Sequence, residues 1–154
     1  MAAMKRVVDR TFTVRAPLAA AWEHLSRVER WPSWAKHLRH SAVDPPGPLG
    51  PASRGTFKLS NGMRTTFQMV EFHPQQSWKW TGTFLGATIH YDHVFEPVSP
   101  GETRIRFTVD STGGLTPVLG GIFGWIYRRN LERAIPRLIA EIEGLSGVDP
   151  GGRA

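Results

Sequence analysis

The residue types best suited to acid–base chemistry occur in one short run, His90-Tyr91-Asp92-His93. Side chains on a strand alternate between its two faces, so Tyr91 and His93 share one face with Phe95. His90 and Asp92 share the opposite face. A histidine in a cavity could act as a general base, and a tyrosine could donate a hydrogen bond to a carbonyl or enolate oxygen. Tyr91 and His93 are therefore the candidate catalytic residues, and the alternative is that His93 only forms a hydrogen bond inside a polar pocket.

Other reaction classes have no support in the sequence. The chain has no cysteine, which excludes disulfides, thiolate metal sites and a cysteine nucleophile. His90 and Asp92 lack a third metal ligand at a suggestive spacing. Nor is there a Gly-x-Ser-x-Gly elbow, a phosphate-binding loop or a dinucleotide-binding glycine pattern. We expect no metal site and no cofactor.

The candidate residues lie within a series of predicted antiparallel strands. Asn61-Gly62 is a strong hairpin signal, and alternation places Ile105 and Phe107 on an apolar face of the last strand. One apolar and one polar face is typical of an antiparallel sheet. The proline-rich segment that precedes these strands, between Ala42 and Ser53, is predicted as a loop. The predicted strands cover residues 7–14, 56–59, 63–72, 78–84, 88–96 and 103–111.

Helical patterns flank the strands at both ends. Residues 18–25, which follow Pro17, are strongly helix-forming, and Ala21, Trp22 and Leu25 form an apolar stripe at helical spacing. The segment from Trp31 to Trp34 indicates a second short helix. A long helix is predicted from Thr116 to Leu145, about 30 residues or roughly 45 Å. The fold class is therefore α+β: a curved antiparallel sheet of six to seven strands on a long C-terminal helix, with two short N-terminal helices. One domain is expected over residues 5–145, followed by a frayed tail at 146–154.

This architecture predicts a cavity. A helix about 10 Å wide cannot fill the concave face of a strongly bent sheet. Gly120, Gly121 and Gly124 thin the helix where bulk would otherwise pack, which favours a pocket over a core filled by aromatic side chains. Arg64 and Glu71 lie on a strand whose inward face the pattern leaves open. The predicted ligand-binding residues are Trp78, Trp80, Phe84, Tyr91, His93, Phe95, Phe107, Ile122, Phe123, Ile126 and Tyr127. For Trp78 and Trp80 the pattern favours the alternative that they fill the core.

Composition limits the partners. Lysine and arginine exceed aspartate and glutamate by 19 − 13 = 6, but the excess is scattered and no nucleic-acid-binding motif accompanies it. No run of apolar residues approaches the roughly 18 that a membrane span needs. We therefore expect an apolar small-molecule ligand, no nucleic acid and no integral membrane segment. The lack of cysteine suits a reducing cytoplasm, and nothing in the sequence specifies an oligomeric state.

Several motifs carry a family resemblance over about residues 5–145. The segments 15–17, 21–25 and Trp31-Pro32-Ser33-Trp34 resemble the N-terminal signature of the polyketide cyclase/dehydrase and lipid-transport family, within the START-like superfamily. Residues 70–74, 95–105 and 131–144 resemble its later hairpins and its closing helix. The resemblance implies the helix-grip fold. Since the matching residues belong to the scaffold, they are specific to fold and carry little information on function.

Three functions follow as hypotheses. The first is a protein that binds a lipid-like or aromatic molecule in the predicted cavity, with affinity from apolar burial at about 25 cal/mol per Å². The second, implied by the resemblance, is a cyclase or dehydratase that folds a polyketide-like chain and shuttles protons through Tyr91 and His93. The third is a membrane- or partner-interaction module, in which exposed Trp31 and Trp34 beside Lys36 contact a membrane surface.

Overall fold

A computed structural model describes residues 4–84, 86–114 and 116–145 of the chain. The predicted tail at 146–154 lies outside the described residues, as do the side chains of residues 116–120, 122, 123 and 145. In chain order the elements are β1 (Lys5–Val14), α1 (Leu18–Ser26), a 3-10 helix (Val28–Ser33), β2 (Leu38–Asp44), β3 (Arg54–Leu59), β4 (Arg64–His73), β5 (Ser77–Phe84), β6 (Ala87–Ser99), β7 (Glu102–Thr112) and α2 (Thr116–Leu145).

The described strands form one antiparallel sheet of seven strands in the order β1-β7-β6-β5-β4-β3-β2. The predicted α+β class, the two short N-terminal helices and the long C-terminal helix are confirmed. Strand β2 was not predicted, because its seven residues include only three apolar ones and show no clean alternation. A register shift between Leu38 and His40, where β2 pairs with β3, accounts for that irregular pattern.

Two glycines let the strands approach closely where the sheet curves. A Cβ atom on Gly55 would collide with the Ala42 carbonyl oxygen and the Phe67 ring, and one on Gly82 would collide with the Thr66 carbonyl oxygen. Any other residue at these positions would push a neighbouring strand away. Both glycines therefore shape the half of the sheet that borders the cavity described below.

Helix α2 packs on the sheet through its C-terminal half. Apolar residues three or four apart turn to one side of this half and are fully or nearly fully buried, as expected for an amphipathic helix on a core. These residues are Leu131, Ala134, Ile135, Leu138 and Ile142. No helix among the described residues is long and apolar enough to cross a membrane.

A polar cluster joins α2 to the N-terminal helices. The Glu141 carboxylate lies 3.0 Å from His24 Nε2 of α1 and accepts a hydrogen bond from the Ser33 hydroxyl at 2.9 Å. His24 is buried, and burial lowers its pKa, against the opposing effect of Glu141. The Glu141 carboxylate of α2 thus links this helix to α1 and to the 3-10 helix.

Candidate functional site

A cavity of about 300 Å³ lies between the sheet and α2. Its walls come from the 3-10 helix and the segment that follows it, from β3 to β7, and from the middle of α2. Ligand pockets in proteins are mostly apolar clefts of about 300–1,000 Å³ with a few polar groups. The described wall residues are Trp31, Trp34, Ala35, His37, Leu38, Phe57, Leu59, Asn61, Met63, Thr65, Thr66, Phe67, Trp80, Gly82, Thr83, Phe84, Tyr91, Asp92, His93, Phe107, Thr108, Val109, Ile126, Tyr127, Asn130 and Leu131.

Strand pairing sets the aromatic part of this wall. Trp80 pairs with Tyr91 between β5 and β6, and His93 pairs with Phe107 between β6 and β7. Directly paired residues point to the same face of an antiparallel sheet, so these four rings face α2 together. Phe67 of β4 stacks on Trp80 with ring centroids 4.1 Å apart. The result is a continuous aromatic surface across four strands.

Most of the predicted ligand-binding residues lie in the wall. Trp80, Phe84, Tyr91, His93, Phe107, Ile126 and Tyr127 all border the cavity. Trp78 and Phe95 instead lie in the core, where both pack edge-on against Trp22 of α1 at centroid distances of 5.2 and 5.1 Å. The side chains of Ile122 and Phe123 lie outside the described residues. Ligand contact by these residues stays a prediction.

His93 is held in an aromatic cage. Its ring stacks on Trp78 at 4.7 Å and meets Trp80 and Phe107 edge-on at 4.9 and 5.2 Å. Nδ1 lies 3.4 Å from the Trp78 carbonyl oxygen, to which it can donate a long hydrogen bond. Burial lowers the pKa of His93 to about 3, only partly opposed by that hydrogen bond. The imidazole is therefore neutral at physiological pH.

Two tyrosines of the cavity wall lie next to each other, one on the sheet and one on α2. Tyr91 on β6 and Tyr127 on α2 have ring centroids 6.1 Å apart. Burial raises the pKa of both phenols, and in Tyr127 the neighbouring Tyr91 adds to the rise. Among the described residues, the Tyr91 hydroxyl has no hydrogen-bond partner. Both phenols stay protonated, and Tyr91 can donate to a bound molecule.

The prediction that Trp31 and Trp34 are exposed is wrong. Trp31 is 8% exposed and Trp34 is 3% exposed. The 3-10 helix turns Trp31 inward, where its indole N–H donates to the Leu25 carbonyl oxygen at 2.9 Å and its ring packs on Phe57 and Trp80. Both tryptophans form cavity wall instead of a membrane-binding surface, so this basis for an interaction module is lost.

The prediction that glycines on α2 make room for the cavity is also wrong for Gly121 and Gly124. Gly121 is exposed, and a Cβ atom there would meet nothing within 4 Å. Gly124 is buried against β1, where an added Cβ atom would lie 3.1 Å from Val7 Cγ1. Gly124 therefore allows α2 to approach β1, and missing bulk at Gly121 and Gly124 does not account for the cavity.

Sequence reasoning missed part of the wall. Phe57, Phe67 and Thr65 line the cavity from β3 and β4, although their strands were predicted without an assigned inward face. Burial of Phe67 and Met69 and exposure of Arg64 and Glu71 now fix that face. The alternation of Thr65, Phe67 and Met69 along β4 was the signal that could have identified it.

Charge and metal-ligand groups are sparse in the wall. Of its described residues, only Asp92 is an Asp, Glu, Lys or Arg; its side chain lies on the opposite face of β6 from His93, and burial raises the pKa of its carboxyl. Lys79 and Arg106 oppose that rise. His90, the other half of the rejected metal pair, lies 3.0 Å from the Thr112 hydroxyl. No group of three potential ligands for a metal ion occurs among the described residues.

Comparison with known proteins identifies a family that matches nearly the whole chain. A family model described as polyketide cyclase/dehydrase and lipid transport matches residues 5–143. No curated protein sequence matches the chain.

Solved structures with the same fold have low sequence identity to the chain. An aromatase/cyclase, Zhui, from Streptomyces sp. R1128 is 17% identical, with a TM-score of 0.76 over 99% of this chain and 100% of that one. A START superfamily protein from Mycobacterium smegmatis is 18% identical, with a TM-score of 0.69 over 92% and 98%. Norcoclaurine synthase from Thalictrum flavum, in complex with dopamine and hydroxybenzaldehyde, is 10% identical, with a TM-score of 0.70 over 93% and 88%. At these identities the likeness extends to the fold alone.

Proposed function

Because the chain belongs to the polyketide cyclase/dehydrase and lipid-transport family, we propose that it binds a compact apolar molecule, aromatic in character, in the cavity between the sheet and α2. The observation that carries this proposal is the aromatic wall of a cavity of about 300 Å³. That volume lies at the lower end of the range for ligand pockets, which favours a molecule of two or three fused rings over a long acyl chain.

The energetics favour ring-shaped ligands. Burial of apolar surface contributes about 25 cal/mol per Å², and offset or edge-on aromatic contacts add about 0.5–1.5 kcal/mol each. Phe67, Trp80 and Phe107 supply flat faces and edges on one side of the cavity, and Tyr127 supplies another on α2. A flat ligand can meet several of these at once.

A variant that fills the cavity tests the proposal. Thr65→Trp places a large side chain at a wall position of β4, whereas Gln68→Trp places the same side chain at an exposed position of the same strand. Titration calorimetry with naphthalene, 2-naphthol and indole is expected to give binding to the wild type and to Gln68→Trp, and at least about tenfold weaker binding to folded Thr65→Trp.

Two results would contradict the proposal. One is that the wild-type protein binds none of the three aromatic compounds at concentrations up to their solubility. The other is that Thr65→Trp, shown by circular dichroism to be folded, binds them as tightly as Gln68→Trp does. The wild-type titration decides the question even if Thr65→Trp fails to fold.

A cyclase or dehydratase activity is the second candidate function. The aromatase/cyclase Zhui has the same fold, and Tyr91 and His93 both border the cavity. Efficient general bases have a pKa near the working pH, whereas that of His93 is lowered to about 3. Binding therefore ranks first. Unchanged turnover of every accepted substrate by His93→Ala and Tyr91→Phe would eliminate these two residues as catalytic groups.

We also propose a cytoplasmic location, for which the lack of cysteine is the supporting observation. Expression of the chain with a fluorescent fusion partner, followed by cell fractionation, tests this directly. Recovery in the membrane or periplasmic fraction would contradict it.

A further inference from the structure

We propose that the cavity selects uncharged ligands that carry a hydroxyl group, and that Tyr91 and His93 bind this hydroxyl; the inference rests on the proposed binding function. Tyr91 and His93 are two residues apart on the same face of β6, roughly 7 Å along the strand. Both border the cavity. A substituent on a ring seated beside Trp80 and Phe107 would lie between or beside their polar atoms.

The hydrogen-bonding capacity of His93 defines what it can recognise. When Nδ1–H donates to the Trp78 carbonyl oxygen, the neutral ring keeps its lone pair on Nε2. Nε2 can then only accept a hydrogen bond, so its partner must be a donor such as a hydroxyl. A ligand carboxylate or ketone has no hydrogen to give it.

Tyr91 complements this acceptor. Its hydroxyl has no partner among the described residues and can both donate and accept a hydrogen bond. A ligand hydroxyl that donates to His93 Nε2 has lone pairs free to accept from Tyr91. A hydrogen bond contributes about 0.5–1.5 kcal/mol net, so a ligand that bonds to either group gains over one that bonds to neither.

Burial in the cavity wall disfavours the charged forms of Tyr91 and His93. Burial raises the pKa of Tyr91 and lowers the pKa of His93, so an acid and a base are both driven to their neutral forms. A ligand carboxylate or ammonium at the same place loses its hydration in the same way. The environment therefore disfavours ligand charges of either sign.

The distribution of wall charges adds to this selection. Asp92 is the only Asp, Glu, Lys or Arg among the described wall residues, and its side chain lies on the opposite face of β6 from Tyr91 and His93. Lys79 and Arg106 act on Asp92 strongly enough to oppose the rise in its pKa, and neither is part of the wall. On the cavity face of the described wall, a ligand ion of either sign therefore finds no Asp, Glu, Lys or Arg side chain to pair with.

Three ligands with the same ring system test the inference: naphthalene, 2-naphthol and 2-naphthoate. By titration calorimetry at pH 7, we expect 2-naphthol to bind at least about tenfold more tightly than 2-naphthoate. We expect it to bind roughly three- to tenfold more tightly than naphthalene, in keeping with one net hydrogen bond. Tyr91→Phe and His93→Phe should each lower the ratio of the 2-naphthol affinity to the naphthalene affinity. His90→Gln, on the opposite face of β6, should keep the wild-type preference.

The outcomes separate this inference from the function on which it rests. Binding of 2-naphthoate within threefold of 2-naphthol overturns the charge selection, and equal binding of 2-naphthol and naphthalene overturns the hydroxyl recognition. In both cases the binding function itself stands. If none of the three ligands binds, the proposed function fails. Since all three comparisons use the wild-type protein, they hold even if a variant does not fold.

Discussion

At the scale of single residues, burial keeps the imidazole of His93 neutral and so limits what it can do chemically. A histidine beside a tyrosine on a strand has the residue types of an acid–base pair, and the sequence alone supports that hypothesis. The fold surrounds its ring with Trp31, Trp78, Trp80 and Phe107, and among the described residues no carboxylate contacts this ring. Desolvation then makes the imidazole a neutral hydrogen-bonding group, which suits recognition better than proton transfer at neutral pH.

The low pKa of His93 predicts a dependence of stability on pH. An unfolded histidine titrates near 6.5 and folded His93 near 3, so between these values the unfolded chain binds more protons and the free energy of unfolding falls as pH falls. Between pH 6.5 and 4.5 this residue should account for about 2–3 kcal/mol of lost stability. Urea unfolding of the wild type and of His93→Gln at both pH values measures the difference.

His90→Gln is the matched control for this prediction. It removes a histidine from the opposite face of β6 and leaves His93 in place, so its loss of stability on acidification should equal that of the wild type. If His93→Gln loses as much stability between the two pH values as His90→Gln does, His93 does not titrate with a lowered pKa.

The orientation of some side chains could be predicted from the sequence, and that of others could not. The inward positions of Trp80, Tyr91, His93 and Phe107 follow from alternation along strands whose faces are clear. Trp31 was assigned to the surface because a tryptophan beside proline in a short segment carries no periodic signal. Its burial depends on a tertiary hydrogen bond to the Leu25 carbonyl and on contacts with β3 and β5, which no local pattern encodes.

At the scale of elements, the curved sheet depends on close approach of strands at glycine. Gly82→Ala should destabilise the protein by about 1–3 kcal/mol, because its Cβ atom would collide with the Thr66 backbone of the neighbouring strand. Gly101→Ala, where an added Cβ meets nothing within 4 Å, should change stability by less than about 0.5 kcal/mol. Thermal or urea unfolding of both variants is the measurement, and equal stabilities would refute the role of Gly82.

The polar cluster between α1, the 3-10 helix and α2 gives a second prediction at this scale. Glu141→Ala leaves buried His24 without its partner and should cost about 1–3 kcal/mol. Glu132→Ala, which removes an ion pair to Arg10 at a side chain that is 56% exposed, should cost less than about 1 kcal/mol. Comparable losses in the two variants, measured by urea unfolding, would show that the cluster does not hold these helices together.

The elements themselves were largely predictable, since hairpin signals and long periodic stretches are local properties. Strands β3 to β7 and helix α2 were found within a few residues of their observed bounds. Strand β2 was missed because its pairing with β3, shifted between Leu38 and His40, replaces regular alternation with an irregular burial pattern. The packing of Gly124 on Val7 likewise depends on the partner element and cannot be predicted from α2 alone.

At the scale of the whole molecule, the sheet and α2 together form a cavity that neither forms alone. The sheet curves away from a helix whose buried stripe, from Leu131 to Ile142, covers only part of its concave face. The remaining space is walled by rings and by groups held in their neutral forms. We therefore expect this cavity to bind a compact, uncharged aromatic molecule, in a fold that the family and the solved structures share.

A crystal structure of the protein with 2-naphthol would show whether the cavity binds an aromatic molecule. We expect density for the naphthalene ring between Trp80, Phe107 and Tyr127, with the ligand oxygen within hydrogen-bonding distance of Tyr91 or His93. A cavity that is filled by collapsed side chains, or that stays empty while the ligand occupies the outer surface, would contradict it.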